Sequence, residues 1–219
     1  MSDLVAETGS DSADRGRSWV DRWAPIGGLA FVAGWIFMFA NPALTDTGET
    51  PAEVVANAND DEAWLVTAMI VGLVMLVMLS WFVAGIAARV SRVAGIAETL
   101  VVAIGGAAFA ILNVTALTVF LAPLLDIEDD PARALVQAEA YLMLDDFGWV
   151  LLGASGVAVG VMIVIASLAT RRTGTVPGWL SWLGVLAGVI SLATVAFFGI
   201  FAWLAWILVA SILLLVRRA

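Results

Sequence analysis

Carboxylates are the residues of this chain that could do chemistry. Asp60, Asp61, Glu62, Asp126, Glu128, Asp129, Asp130, Asp145 and Asp146 gather at the ends of three apolar runs. Oxygen-only groups of this kind suit Ca²⁺ or Mg²⁺. The pairs Asp129–Asp130 and Asp145–Asp146 are the candidate ligands. No D-x-D-x-D-G loop accompanies them. Helix capping and a solvated acidic surface account for the same residues without a ligand. Two neutral groups stand inside apolar runs. Asn113, with Thr115 and Thr118 nearby, reads as a polar ligand site or as an interhelical hydrogen bond. Ser155 lies between Gly153 and Gly156. A nucleophilic serine needs a base, and only Asp145 or Asp146 could serve, two to three helical turns away. Small-residue packing is the simpler account of Ser155.

Missing residue types exclude more than these suggest. The chain has no Cys, no His and no Lys. That removes disulfides, thiol nucleophiles, thiolate and imidazole metal sites, and any Schiff base. No cofactor and no enzymatic activity are expected. The net charge of −9 argues against nucleic acid as a partner.

The elements that must position these residues are membrane helices. The chain has 219 residues, 62% hydrophobic and only 13% charged, with mean hydropathy +1.02. Its charges fall between long apolar runs, as in a polytopic membrane protein. Residues 1–22 read as a disordered cytoplasmic tail rather than a cleaved signal peptide. Residues 23–219 form the membrane domain, with spans at about 25–43, 63–88, 98–122, 147–170, 178–197 and 200–216. Ala30-x-x-x-Gly34 offers span 1 a close-packing face.

Two short surface helices are expected between spans. Thr50-Pro51-Ala52-Glu53 is a capping box with Pro at the first helical position, predicting a helix over Pro51–Asn57. Asp130 can cap a second helix, Pro131–Leu144, lying on the outer surface or over the bundle mouth. Its apolar side carries Ala132, Leu135, Val136, Leu142 and Met143, and its other side Arg133, Gln137 and Tyr141. All six prolines then fall at element ends. Gly153, Gly156 and Gly160 make span 4 a central packing helix, and Gly184 and Gly188 give span 5 a small-xxx-small face. Trp179–Val216 carries no charge and is too long for one crossing, so a turn is expected at Phe197-Phe198-Gly199-Ile200. Trp203 and Trp206 would follow it near that interface.

Arginine sets the orientation. Nine of the ten arginines precede span 1, follow spans 2 and 4, or end the chain; only Arg133 lies opposite. The positive-inside rule puts both termini in the cytoplasm of a multi-pass cell-membrane protein.

The stretch Arg172-Thr-Gly-Thr-Val-Pro-Gly-Trp-Leu-Ser-Trp-Leu-Gly-Val-Leu-Ala-Gly188 resembles the 4–5 connection of a large family of uncharacterised bacterial six-span integral membrane proteins. In that family a small polar residue and Gly, then Pro, precede a Leu-Gly helix with a second Gly. Thr50–Val55 resembles its first outer loop, and the Trp- and Leu-rich tail ending in Arg217-Arg218 resembles its C-terminus. The family is a domain of unknown function. The resemblance implies the fold and the location and carries no catalytic residues.

The expectation is therefore an all-α, six-span membrane bundle with two extracytoplasmic surface helices. Its partners are the lipid bilayer and a membrane-protein partner or a second copy. Its role is accessory, sensory or scaffold, through helix–helix contacts. The alternative is a transporter or permease for a small uncharged or cationic solute. No span holds an interior Asp, Glu, Lys or Arg, which counts against ion coupling.

Overall fold

Apolar segments in lipid must satisfy every backbone polar group internally, so they fold as helices. The computed structural model describes residues 19–216 other than 46, 128–129, 173, 175–176 and 195–197. Those residues form eight helices and no strand: α1 Trp19–Ala40, α2 Pro42–Thr45, α3 Pro51–Asp60, α4 Glu62–Val90, α5 Ile96–Leu125, α6 Pro131–Arg172, α7 Gly178–Ser191 and α8 Phe198–Val216. Five of them (α1, α4, α5, α6 and α8) are long and apolar enough to cross a membrane; α7 is apolar but shorter. The chain is an all-helical, membrane-embedded protein.

The six apolar helices pack as a ring in chain order. Each leans on its sequence neighbour, and α8 closes against α1. Neighbours are antiparallel. Asn113 of α5 meets Ser155 of α6, while Glu98 at the start of α5 meets Arg172 at the end of α6. One end of the ring carries Arg22, Arg89, Arg92, Arg171 and Arg172 with Trp19, Trp23 and Trp81. There Arg171 lies over the Trp182 ring at 4.5 Å. The other end carries most of the acids, with Trp64 and Trp149.

Glycines decide how closely the helices approach. A methyl group on Gly160 would sit 2.6 Å from the Gly188 carbonyl oxygen, and one on Gly188 would sit 2.8 Å from the Gly160 carbonyl. The backbones of α6 and α7 therefore touch. Gly156 abuts Thr194 and the Ser191 carbonyl, and Gly184 abuts Ser167 and the Trp206 indole. Gly153 is buried in the same stretch. On α1, Gly27 abuts the Met78 carbonyl, Gly28 abuts Ser211 and Phe82, and Gly34, on the predicted Ala30/Gly34 face, abuts the Met75 side chain as closely as Gly27 abuts its neighbour.

Several expected boundaries move. The first helix starts at Trp19, inside the expected tail, whose residues 1–18 lie outside the described residues. Pro25 and Pro123 are inside helices rather than at their ends. Both lie near a polar end of the bundle, where a carbonyl freed by proline can still meet water. The span 5–6 turn comes earlier than Phe197–Ile200. Helix α7 stops at Ser191, and Phe198, Gly199 and Ile200 are already helical; Phe197 lies outside the described residues. At this end Ser191 donates to the Ala187 carbonyl, and Thr194 to that of Ser191. Gly199 serves a close approach to Thr194 instead of a turn.

The largest correction concerns the second surface helix. Pro131–Leu144 and span 4 are one continuous helix of 42 residues, about 63 Å long. Asp145 and Asp146 end the apolar run, but aspartate in a helix interior costs only about 0.7 kcal/mol or less, so the helix continues through them. Its buried side is also reversed. Ala134, Ala138 and Tyr141 are buried, while Leu135, Val136 and Met143 are exposed. Small residues win this face because α3 packs there through Val54 and Ala58, and Tyr141 shares a hydrogen bond with Thr47.

The α6–α7 contact yields a direct test. Gly160→Ile should lower thermal stability in detergent by about 1–3 kcal/mol through overpacking. Gly178→Ala, where an added methyl meets nothing within 4 Å, should leave the melting temperature unchanged.

Candidate functional site

The ring is filled at its centre by aromatic side chains. Trp203 is fully buried and packs on Phe109 at 5.1 Å, Trp35 at 5.6 Å and Phe31 at 5.9 Å between ring centroids. The sequence placed Trp203 at an interface with Trp206. Closure of α8 against α1 turns it inward instead. Trp206 is half-buried, edge-on to Phe82.

Asn113 lies one helical turn from Phe109, on the same face of α5. It is 2% exposed. Its Nδ2 donates to Ser155 Oγ at 3.4 Å, and Ser155 Oγ donates to the Leu152 carbonyl at 2.7 Å. Ser155 therefore serves as a relay in a packing contact, with no carboxylate in its hydrogen bonds. Asn113 Oδ1 is buried and has no hydrogen-bond partner. Asn113 lines a cleft with Phe31 of α1, Gly72, Met75 and Leu76 of α4, and Leu117 of α5. Its volume is about 10 Å³, the room of a single water. The lining is apolar apart from this one amide, which can accept one hydrogen bond from a small hydroxyl or amine. Nothing in the sequence pattern pointed to α1 and α4 as its walls.

Among the described residues the candidate acids Asp130 and Asp145 do not share a site. Asp129 lies outside the described residues. Asp130 caps α6: its Oδ1 accepts from the backbone N–H groups of Ala132 and Arg133 at 3.0 and 3.1 Å. Asp145 accepts a hydrogen bond from the Trp149 indole one turn on. Asp130 and Asp145 are about 22 Å apart along the same helix. Among the described residues, no three acids come close enough to hold a metal ion.

At α3 the capping box forms as its sequence requires. Glu53 N–H donates to Thr50 Oγ1 at 3.4 Å, and Glu53 Oε2 accepts from the backbone N–H groups of Thr50 and Glu49, each at 3.0 Å. Those two backbone donors hold the Glu53 carboxyl below its usual range. Its contribution is thus present above the ordinary glutamate range and fades as pH falls through the lowered value. Asp61 ends α3 and precedes α4 without making a side-chain cap.

No protein-family description, curated protein or solved structure matches this chain.

The cleft and the aromatic centre should respond differently to substitution. Trp203→Ala should cost about 3–5 kcal/mol in thermal unfolding. Asn113→Leu loses one interhelical hydrogen bond, worth about 0.6 kcal/mol on average, and adds apolar volume beside the cleft. Its melting temperature should stay within a few degrees of wild type.

Proposed function

We propose that this chain is a non-catalytic component of the cell membrane, of the uncharacterised bacterial six-span family it resembles, acting through helix–helix contacts. The reading takes α7 as a sixth crossing, with both termini cytoplasmic and α3 on the outer side. The observation that carries it is the aromatic packing at the centre of the ring among the described residues. The cleft at Asn113 holds about one water, and among the described residues no charged side chain is buried. Solute pathways need polar or ionisable groups facing a cavity. The packing glycines are spent within the chain, leaving contact with other proteins to its outer faces.

One observation favours a second reading. Asn113 lines the cleft and its Oδ1 has no partner, as in a binding group for a small uncharged or cationic solute. Purified protein in lipid vesicles separates the two. Flux of glycerol, urea and choline should equal that of protein-free vesicles. Protein-dependent flux of any of them would overturn the contact reading, and its loss in Asn113→Leu would put the path at the cleft.

Orientation has its own test, since the natural chain has no cysteine. In intact cells, a membrane-impermeant thiol reagent should label Asn57→Cys and Gln137→Cys but neither Ser2→Cys nor Ala219→Cys.

A further inference from the structure

Helix α6 ends in Arg171 and Arg172, and α7 begins at Gly178, so the elbow between them lies at the arginine-rich end of the ring. Arg171 is exposed, and its guanidinium lies over the Trp182 ring at 4.5 Å. Stacking holds the planar group by its face and leaves its five N–H donors at the edge. Among the described residues nothing accepts from those donors. Arg172 gives one nitrogen to Glu98 at 3.3 Å, and its side chain stays 73% exposed. Among the described side chains Glu98 is the one acid at an end that also carries Arg22, Arg89 and Arg92. The elbow therefore presents a seated guanidinium, its donors open, in a positive surrounding. The complement of that geometry is a phosphate oxyanion.

Helix α7 sets what carries the phosphate. Trp179, Trp182, Leu183, Leu186, Val189 and Ile190 are all exposed and recur at helical spacing, so they make one outward face. The face begins with two indoles, which favour the headgroup layer, and runs about 16 Å along the helix from there. Gly178 leaves its upper end open: a methyl group there would meet nothing within 4 Å. A soluble phosphate would use the guanidinium alone. A phospholipid uses both parts at once, its headgroup at Arg171 and an acyl chain along α7. Charge narrows the class further. A zwitterionic headgroup brings its own cation among the arginines, and an anionic one does not.

We propose that the α6–α7 elbow binds an anionic phospholipid, with its phosphate on Arg171 and an acyl chain on the outer face of α7. The inference rests on the membrane-component reading above and gives it a lipid partner.

Native mass spectrometry of the purified full chain tests it. The protein is offered equal amounts of phosphatidylglycerol and phosphatidylcholine with the same acyl chains. Wild type should retain the anionic lipid at least about fivefold over the zwitterionic one, the weight of one arginine at an anionic surface. Arg171→Gln should bring that ratio close to one, while melting like wild type in lipid-free detergent. Trp182→Leu keeps the charge but removes the ring beneath it, and it should lower the ratio as well. Arg22→Gln removes a charge from the same end and should leave most of the preference. Equal retention of both lipids by wild type overturns the proposal, as does a preference that survives both Arg171→Gln and Trp182→Leu. An Arg22→Gln loss as large as that of Arg171→Gln also overturns it, because the preference then belongs to the charge of the whole end. Glycerol 3-phosphate, at fixed ionic strength, should not displace the bound lipid; displacement would make the ligand a soluble phosphate and overturn the lipid assignment. Those failures leave the membrane-component reading standing, since that reading falls to solute flux.

Discussion

The fold depends on backbone-to-backbone contact between α6 and α7 at Gly160 and Gly188. Lipid is as apolar as leucine, so burying leucine between helices gains little in a bilayer. What remains is van der Waals contact, which grows as helix axes approach. Glycine removes the side chain that would hold them apart. Gly156, Gly160, Gly184 and Gly188 bring α7 onto α6. Gly27 and Gly28 bring α1 onto α4 and α8 in the same way. The ring closes because both of these seams are tight.

A ring closed so tightly leaves little interior, and aromatic side chains fill it. Phe31, Trp35, Phe109 and Trp203 meet at the centre as four large rings from three helices. The buried amide of Asn113 sits at the margin of this cluster. One of its two polar ends is held by Ser155 and the other has no partner, and the side chain lines a cleft of one water's size. Such an arrangement positions a hydrogen bond between α5 and α6, and it offers a small molecule a single acceptor.

At the acidic end the structure departs from a simple bundle. Helix α6 outruns its neighbours, and α3 packs along the part that projects. The capping box at Thr50 and Glu53 fixes where α3 begins, and Asp130 fixes where α6 begins. Two carboxylates there, Glu53 and Asp130, serve as helix-end groups.

Composition and charge determined the class of the molecule, the helical fold, the grouping of arginines at one end and the approximate place of each apolar helix. These follow from local chemistry: an apolar run in lipid has no alternative to a helix, and capping residues act within four positions of themselves. Asp130, Thr50 and Glu53 were legible for that reason. Tertiary structure alone decided which side of each helix is buried. On α6, hydrophobicity favours Leu135, Val136 and Met143 as the inner side, yet the structure buries Ala134, Ala138 and Tyr141. Hydrophobicity cannot distinguish a side chain facing protein from one facing lipid, whereas close approach depends on size and on what the neighbour presents. The same reason hid the inward turn of Trp203, the walls of the Asn113 cleft and the continuity of α6 through Asp145 and Asp146. A charge pair marks where the membrane ends, and only packing beyond it decides whether the helix ends there too.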